Sequence, residues 1–277
     1  MRDKLIVSGC SYTEYLYPTW GDWLGEHFDT FHNLGVSGSG PKYTYLAIAD
    51  FFKYNKVNPK EYIVIAQWSS LLRRDIRSKT DDGWLHGGQI DNNSNYSKNY
   101  LKKYFHPLDT ANDLVHYIDH LILLSEKLGF KLYMTYMFEP WIDNFLGEPV
   151  HSTIDKNEIK DTLRSKYMIS LKEISKSKYW INPSIESFSL DNPSRHIIKT
   201  TINGKPNRDH HPSPFTHFLY AWQISKLLKI KLNKKYKKLS LDLTRFLATN
   251  YNDLKFIELC GKKGFHKQLE QLIKKTI

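Results

Sequence analysis

Short continuous apolar runs alternate along this chain with longer stretches in which apolar residues recur every three or four positions. Leu5-Ile6-Val7 and Tyr62-Ile63-Val64-Ile65-Ala66 are of the first kind, and Thr30 to Leu34 and Lys131 to Tyr136 are less uniformly apolar segments that also read as strands. Brief runs of this type predict strands, and the unbroken Tyr62–Ala66 run in particular a strand buried on both faces of a parallel sheet. Between them, Trp20, Trp23, Leu24 and His27 follow helical spacing, with Gly21 and Gly25 weakening the helix. Gly40-Pro41 opens a second helix with proline in its first turn, running to about Tyr54. Ala111 to Leu128 is the clearest helix: Leu114, Tyr117, Ile118, Leu121, Ile122 and Ser125 trace one face, and Gly129 terminates it. Residues 155 to 177 read as a polar surface helix, and Phe215 to Ile230 as a helix with Phe218, Leu219, Trp222, Ile224, Leu227 and Leu228 at its apolar positions. Residues 181 to 213, with Pro183, Pro193, Pro206 and Pro212, read as loop. Strands alternating with helices over residues 4 to 230 imply a three-layer α/β/α sandwich with a mostly parallel sheet. Two further helices are expected near 240–249 and 251–275. The division expected is an α/β domain over 1–232 and a basic, helical extension over 233–277.

The pattern breaks between residues 77 and 107. This stretch is rich in Asp, Asn, Ser, Gly and Tyr and is too long for an ordinary connection, so it is a functional loop or a small inserted subdomain. Its Trp84, His86, Tyr96, Tyr100 and Tyr104 either line a sugar site or anchor the insertion by packing.

Composition narrows the class. At 277 residues, 40% hydrophobic and 25% charged, the chain is globular and long enough for a full core. No run approaches the ~18–20 apolar residues of a membrane span, so no membrane partner is expected. Met1-Arg2-Asp3-Lys4 leads straight into a strand without the apolar stretch of a signal peptide, and a cytoplasmic location is the expectation. Two cysteines, Cys10 and Cys260, support neither a disulfide framework nor a zinc site. The net charge of +11 brings nucleic acid into consideration, with Lys226, Lys229, Lys231, Lys234, Lys235, Lys237 and Lys238 clustered late. Lysine is abundant throughout, so a solvated basic face accounts for the cluster better than a nucleic-acid site.

Three segments carry candidate chemistry. The first is Gly9-Cys10-Ser11-Tyr12-Thr13, directly after the first apolar run. A serine there sits at the carboxyl edge of the sheet, where ligands of α/β proteins bind. Its turn exposes the hydroxyl and offers backbone N–H groups to an oxyanion; helix capping by Ser11 or Thr13 is the plainer alternative. The second is Asn33-Leu34-Gly35-Val36-Ser37-Gly38-Ser39-Gly40, a backbone-rich loop between a strand and a helix. It could donate an N–H from Gly38 or cradle a phosphate, but it lacks the Gly-Lys-Ser/Thr of a nucleotide P-loop and the Gly-x-Gly-x-x-Gly of a dinucleotide fold. The third is Asp209-His210-His211-Pro212-Ser213-Pro214. Histidine suits proton transfer near neutral pH, and a carboxylate would orient it. His210 competes with His211 for that role, and His217 is a candidate supporting residue. Asp209, His210 and His211 alone fall short of the three or four convergent ligands and supporting partners of a metal site, so neither metal nor cofactor is expected.

Together these segments resemble the blocks of the SGNH hydrolase superfamily, the GDSL-like lipases and esterases. Gly9–Thr13 looks like the Gly-Asp-Ser-x-Thr block, with Cys10 in place of aspartate. Asn33–Gly38 looks like the second block, and Asp209–Ser213 like the last. The resemblance covers roughly residues 4 to 230 and implies a flavodoxin-like α/β/α fold. It also implies Ser11 as nucleophile, His211 as base and Asp209 as its orienting acid, although the usual acid position, three residues before the base, is Arg208. The family's third block places an asparagine after the third strand. Here that segment is Gln67-Trp68-Ser69-Ser70, so Ser69 or Ser70 (or Gln67) would complete an oxyanion hole with the Ser11 and Gly38 backbone. Arg73, Trp68 and Tyr12 are the expected substrate contacts, Arg73 or Arg74 meeting an anionic group. The expected activity is hydrolysis of an ester, a short acyl group on a carbohydrate, with a small-molecule or glycan ester as partner. Acyl transfer to a glycan by the same residues, and a non-catalytic binding module, are the alternatives.

Overall fold

The computed structural model describes residues 4–15, 17–77, 84–86, 99, 103–140, 156–185, 187–188, 199–202, 205–208 and 211–250. Asp209, His210, Tyr96, Tyr100, Cys260 and the expected helix over 251–275 lie outside these residues. In chain order the elements are β1 (Lys4–Ser8), α1 (Trp20–Gly25), β2 (Thr30–Asn33), α2 (Pro41–Tyr54), β3 (Tyr62–Trp68), β4 (Asp75–Arg77), β5 (Trp84–His86), α3 (Pro107–Leu128), β6 (Lys131–Tyr136), α4 (Lys156–Leu163), α5 (Lys166–Ile174), β7 (Lys199–Ile202), β8 (Lys205–Arg208), α6 (Pro214–Leu228) and α7 (Lys235–Asn250). They form two compact units. Unit one comprises residues 1–14 and 28–187, and unit two comprises residues 15–27 and 188–277.

Unit one is an α/β layer structure on a wholly parallel sheet of order β2-β1-β3-β6. Val7 pairs with Ile65 and Ala66 with Met134, so the apolar runs lie side by side. On one face Ile6, Val64, Ala66, Leu132 and Met134 pack with Ile48 of α2, Leu114, Ile118 and Leu121 of α3, and Met168 and Leu171 of α5. On the other, Leu5, Val7 and Ile65 are fully buried. Burial on both faces is the physical reason these runs show no polar alternation. Next to β6, Met134 N donates to Tyr179 O and Ile181 N donates to Met134 O, both at 2.7 Å, which adds a one-residue parallel bridge at the sheet edge.

Three expectations are refined. The polar stretch 155–177 is two helices, because Ser165 caps the second by accepting from Met168 N at 3.3 Å. The inserted stretch contributes β5, which pairs antiparallel with β4. The span 181–213 read as loop contains the antiparallel hairpin β7–β8, Thr200 pairing with Asn207. Pro206 within β8 hid that hairpin from the sequence pattern, since proline is tolerated only in edge strands.

Unit two joins α1 with α6 and α7. Trp20 meets the Tyr220 ring edge-on at 6.3 Å, and Trp23 meets Phe218 edge-on at 6.2 Å. Leu239, Leu243 and Leu247, four residues apart, form the buried face of α7, and Phe215 N donates to Thr244 Oγ1 at 3.0 Å. No described helix is long and apolar enough to cross a membrane.

Candidate active site

The order β2-β1-β3-β6 reverses direction between β1 and β3, and open parallel sheets bind ligands outside the strands' carboxyl ends at such a reversal. The segments after β1, β2 and β3 meet at this edge. After β1, Thr13 N and Glu14 N both donate to Cys10 O, at 2.8 and 3.0 Å, closing a tight turn around Ser11. Ser11 is 3% exposed, and among the described residues no hydrogen bond engages its hydroxyl.

Gly9 is required by close approach. A Cβ there would collide with Thr13 Oγ1 and lie 2.9 Å from Gln67 Cβ. The room it leaves lets Thr13 Oγ1 donate to Gln67 Oε1 at 2.8 Å, which ties the serine turn to the end of β3. The Gly9 carbonyl accepts from Val36 N at 3.0 Å and from Ser39 Oγ at 2.9 Å. Asn33 fastens the same two loops, its Nδ2 donating to Thr13 O at 2.9 Å and its Oδ1 accepting from Gly35 N at 3.0 Å. Residues 36–39 form a turn closed by Ser39 N on Val36 O at 3.0 Å, with Gly38 at φ 84. A φ of that sign at the third turn position is the type II geometry, which favours glycine.

At the end of β3, Gln67 and Ser69 are buried, and Gln67 Nε2 and Ser69 Oγ have no hydrogen-bond partner among the described residues. Ser70 Oγ accepts from Leu72 N at 3.1 Å, capping the following turn. Trp68 points the other way, into the core with Ala66 and Met134, so its ring is packing material. Tyr12 is 5% exposed in the serine turn. Arg73 is 9% exposed, and its Nη1 donates to Ser39 O at 3.2 Å. Asp75 fixes the start of α2 by accepting from Gly40 N and Tyr43 N, both at 2.7 Å. Burial, with the Asp75 and Glu14 carboxylates, raises the Tyr43 phenol above its ordinary value.

His211 belongs to unit two. Its ring stacks on Tyr15, centroids 4.0 Å apart and planes 19° apart. The neighbouring Pro212 carbonyl accepts from Tyr17 Oη at 2.9 Å. Ser213 caps α6 through Thr216 N at 3.2 Å, so a proline-braced cap holds the segment just beyond the histidine. His217, six residues on, is fully buried, and its Nδ1 accepts from Trp20 N at 3.3 Å. That bond requires the proton on Nε2 in the neutral ring and gives His217 an anchoring task on α1.

The anchors at Tyr15, Asn33 and Asp75 were not singled out in the sequence for these tasks. Only Asn33 carried a signal, its place in the glycine-rich loop. Among the described residues no group of three or more His, Cys, Asp or Glu side chains is arranged to hold a metal ion.

Fold and site define an α/β protein with a serine-bearing turn at the reversal point of a parallel sheet. Among solved structures the chain is similar to a member of the lipolytic protein G-D-S-L family from Veillonella parvula DSM 2008, at 14% identity and a TM-score of 0.45, over 82% of this chain and 98% of that one. It is also similar to a protein from Desulfitobacterium hafniense DCB-2 assigned to the G-D-S-L lipolytic family, at 12% identity and a TM-score of 0.42, over 81% of this chain and 99% of that one. No protein-family model and no curated protein sequence matches the chain.

Proposed function

We propose that this protein is a serine ester hydrolase of the SGNH type, acting on a short acyl group carried by a carbohydrate. The observation that carries this reading is the Ser11 hydroxyl, on a tight turn at the reversal point of the sheet and linked through Thr13 to Gln67. In the reaction Ser11 Oγ attacks the acyl carbonyl while His211 takes its proton. Asp209 orients the imidazole and stabilises its charged form. The negative oxygen of the tetrahedral intermediate is held by the Ser11 and Gly38 N–H groups. A third donor comes from the end of β3, where Gln67 Nε2 and Ser69 Oγ are the buried donors still to be matched. Ser70 is the weaker choice, because its hydroxyl already serves the Leu72 amide. Collapse of the intermediate returns the proton from His211 to the leaving sugar alcohol. Water then attacks the acyl-enzyme with His211 again as base. The preference for a sugar follows from the polar turns around Ser11 and from Trp84 of the insertion, which meets Tyr43 edge-on at 5.9 Å.

The test is fluorophosphonate labelling with peptide mapping, beside p-nitrophenyl acetate hydrolysis by wild type, Ser11→Ala and His211→Ala. The expected result is label on Ser11 and loss of turnover in both variants. No label, with wild type and variants alike in rate, would overturn the hydrolase reading. It would favour a binding module, consistent with the missing asparagine in Gln67-Trp68-Ser69-Ser70.

A further inference from the structure

A cavity of about 340 Å³ lies in unit one between the start of α2 and the first turns of α3, and no step of the reaction above uses it. Two of its lining side chains are buried donors left unmatched. Arg73, 9% exposed, spends Nη1 on Ser39 O, while its Nε has no partner among the described residues. Thr110, 5% exposed, has Oγ1 in the same condition. Buried donors of this kind are costly unless a ligand or water completes them. Lys42 and Arg74 bring two further cations to the walls. The opposing carboxylates are Asp75 and Asp113, and both Asp75 oxygens already accept backbone N–H groups at α2. Tyr117 completes the lining. Burial first, then Asp113 and Asp75, pushes its phenol up to about 12, so it is a hydroxyl donor at neutral pH. Donors and positive charge therefore dominate a space at the small end of ligand pockets. The cavity also connects to the serine turn, because Arg73 holds Ser39 O and Ser39 Oγ holds Gly9 O.

We propose that this cavity binds the anionic group, a carboxylate or a phosphate, of the ester substrate, with Arg73 Nε and Thr110 Oγ1 as its buried donors and Lys42 and Arg74 supplying charge. The inference rests on the hydrolase reading for the word substrate; the anion site itself does not. A planar carboxylate or a tetrahedral phosphate each matches a guanidinium edge. Arg73 here is a substrate-binding residue.

The test has two arms. In the first, the full chain is titrated calorimetrically with inorganic phosphate at pH 7, against chloride of equal ionic strength. Saturable binding is expected in wild type and in Ser11→Ala. Weakening of about tenfold or more is expected in Arg73→Gln and in the near-isosteric Thr110→Val, which removes one hydroxyl without disturbing the Ser39 contact. No saturable binding in wild type, or variants equal to it, would overturn the site. In the second arm, hydrolysis of O-acetylated glucuronate is compared with that of O-acetylated glucose. The expected result is a lower KM for the glucuronate ester, a rise in that KM alone in Thr110→Val, and competition by phosphate for that ester alone. Phosphate binding without competition would make this a free-anion site and overturn its substrate role. Failure of Ser11 to label, with phosphate binding intact, would remove the hydrolase reading and leave the anion site standing.

Discussion

At the scale of single residues, the serine turn depends on one missing methyl group. Gly9 sits where three loops converge, and a side chain there would drive Thr13 off Gln67. Gly9→Ala is expected to destabilise the protein by about 1–3 kcal/mol, the usual range for forcing an atom into a packed site. Fluorophosphonate labelling of Ser11 should fall more than stability does, because the turn itself must shift. Urea denaturation and the labelling rate, measured on the same variant, check both parts. Thr13→Val is the contrasting case: shape is kept, but Gln67 Oε1 loses its donor and Gln67 is left with both polar ends unmatched. Much of this arrangement could be read from the chain, since Gly9, Ser11, Thr13 and Asn33 lie in short segments whose composition marks turns. The Gln67 contact could not, because it pairs residues 54 apart and a glutamine at the end of an apolar run carries no signal of its partner.

At the scale of elements, the helices α3 and α6 end in the same backbone conformation with different residues. α3 ends at Gly129 with φ 82, and α6 ends at Lys229 with φ 59. The left-handed region disfavours side chains by roughly 1–2 kcal/mol. Gly129→Ala is therefore expected to cost about 1 kcal/mol, with its Cβ also pressed to 3.1 Å from Lys60 Cγ. Lys229→Gly should change stability in the other direction by less, since added freedom in the unfolded chain offsets part of the relief. Thermal unfolding of both variants checks the opposite signs. The same elements show what sequence pattern reveals. The four sheet strands and the helices α2, α3 and α6 were legible because burial on one or both faces imposes a period of its own. The β4–β5 and β7–β8 hairpins were not. Their strands are three or four residues long, and none carries the continuous apolar run that marks β1 and β3. For the same reason Thr110 gave no sign of lining a cavity: it lies in the first turns of a strongly amphipathic helix and reads as an ordinary polar residue.

At the scale of the whole molecule, chain order and charge both constrain stability. Unit two is assembled from residues 15–27 and residues 188–277, so its core needs a piece from each end of the chain. Trp20 and Trp23 supply rings to Tyr220, Phe218 and Tyr236, and the Glu26 carboxylate accepts from Tyr236 Oη at 3.1 Å. Residues 188–277 alone are expected to lack cooperative unfolding, and calorimetry on that fragment checks it. Charge acts on the molecule as a whole. With a net charge of +11 before any histidine is protonated, each of the twelve histidines adds to self-repulsion as pH falls. Among the described residues, two of them, His27 and His32, resist protonation in the folded state. Burial lowers His27, with Glu26 opposing, and burial together with the Lys4 ammonium lowers His32. A folded-state value below the unfolded 6.5 means that the unfolded chain binds more protons in that window. These two residues therefore favour the folded protein fully above pH 6.5, and the advantage is lost as pH falls through their folded values. The urea midpoint is expected to be level from pH 8 to 7 and to decline between pH 6.5 and 5. His32→Gln should flatten the decline without removing it, since His27 and the rising net charge still act. A midpoint independent of pH across that window would contradict both contributions.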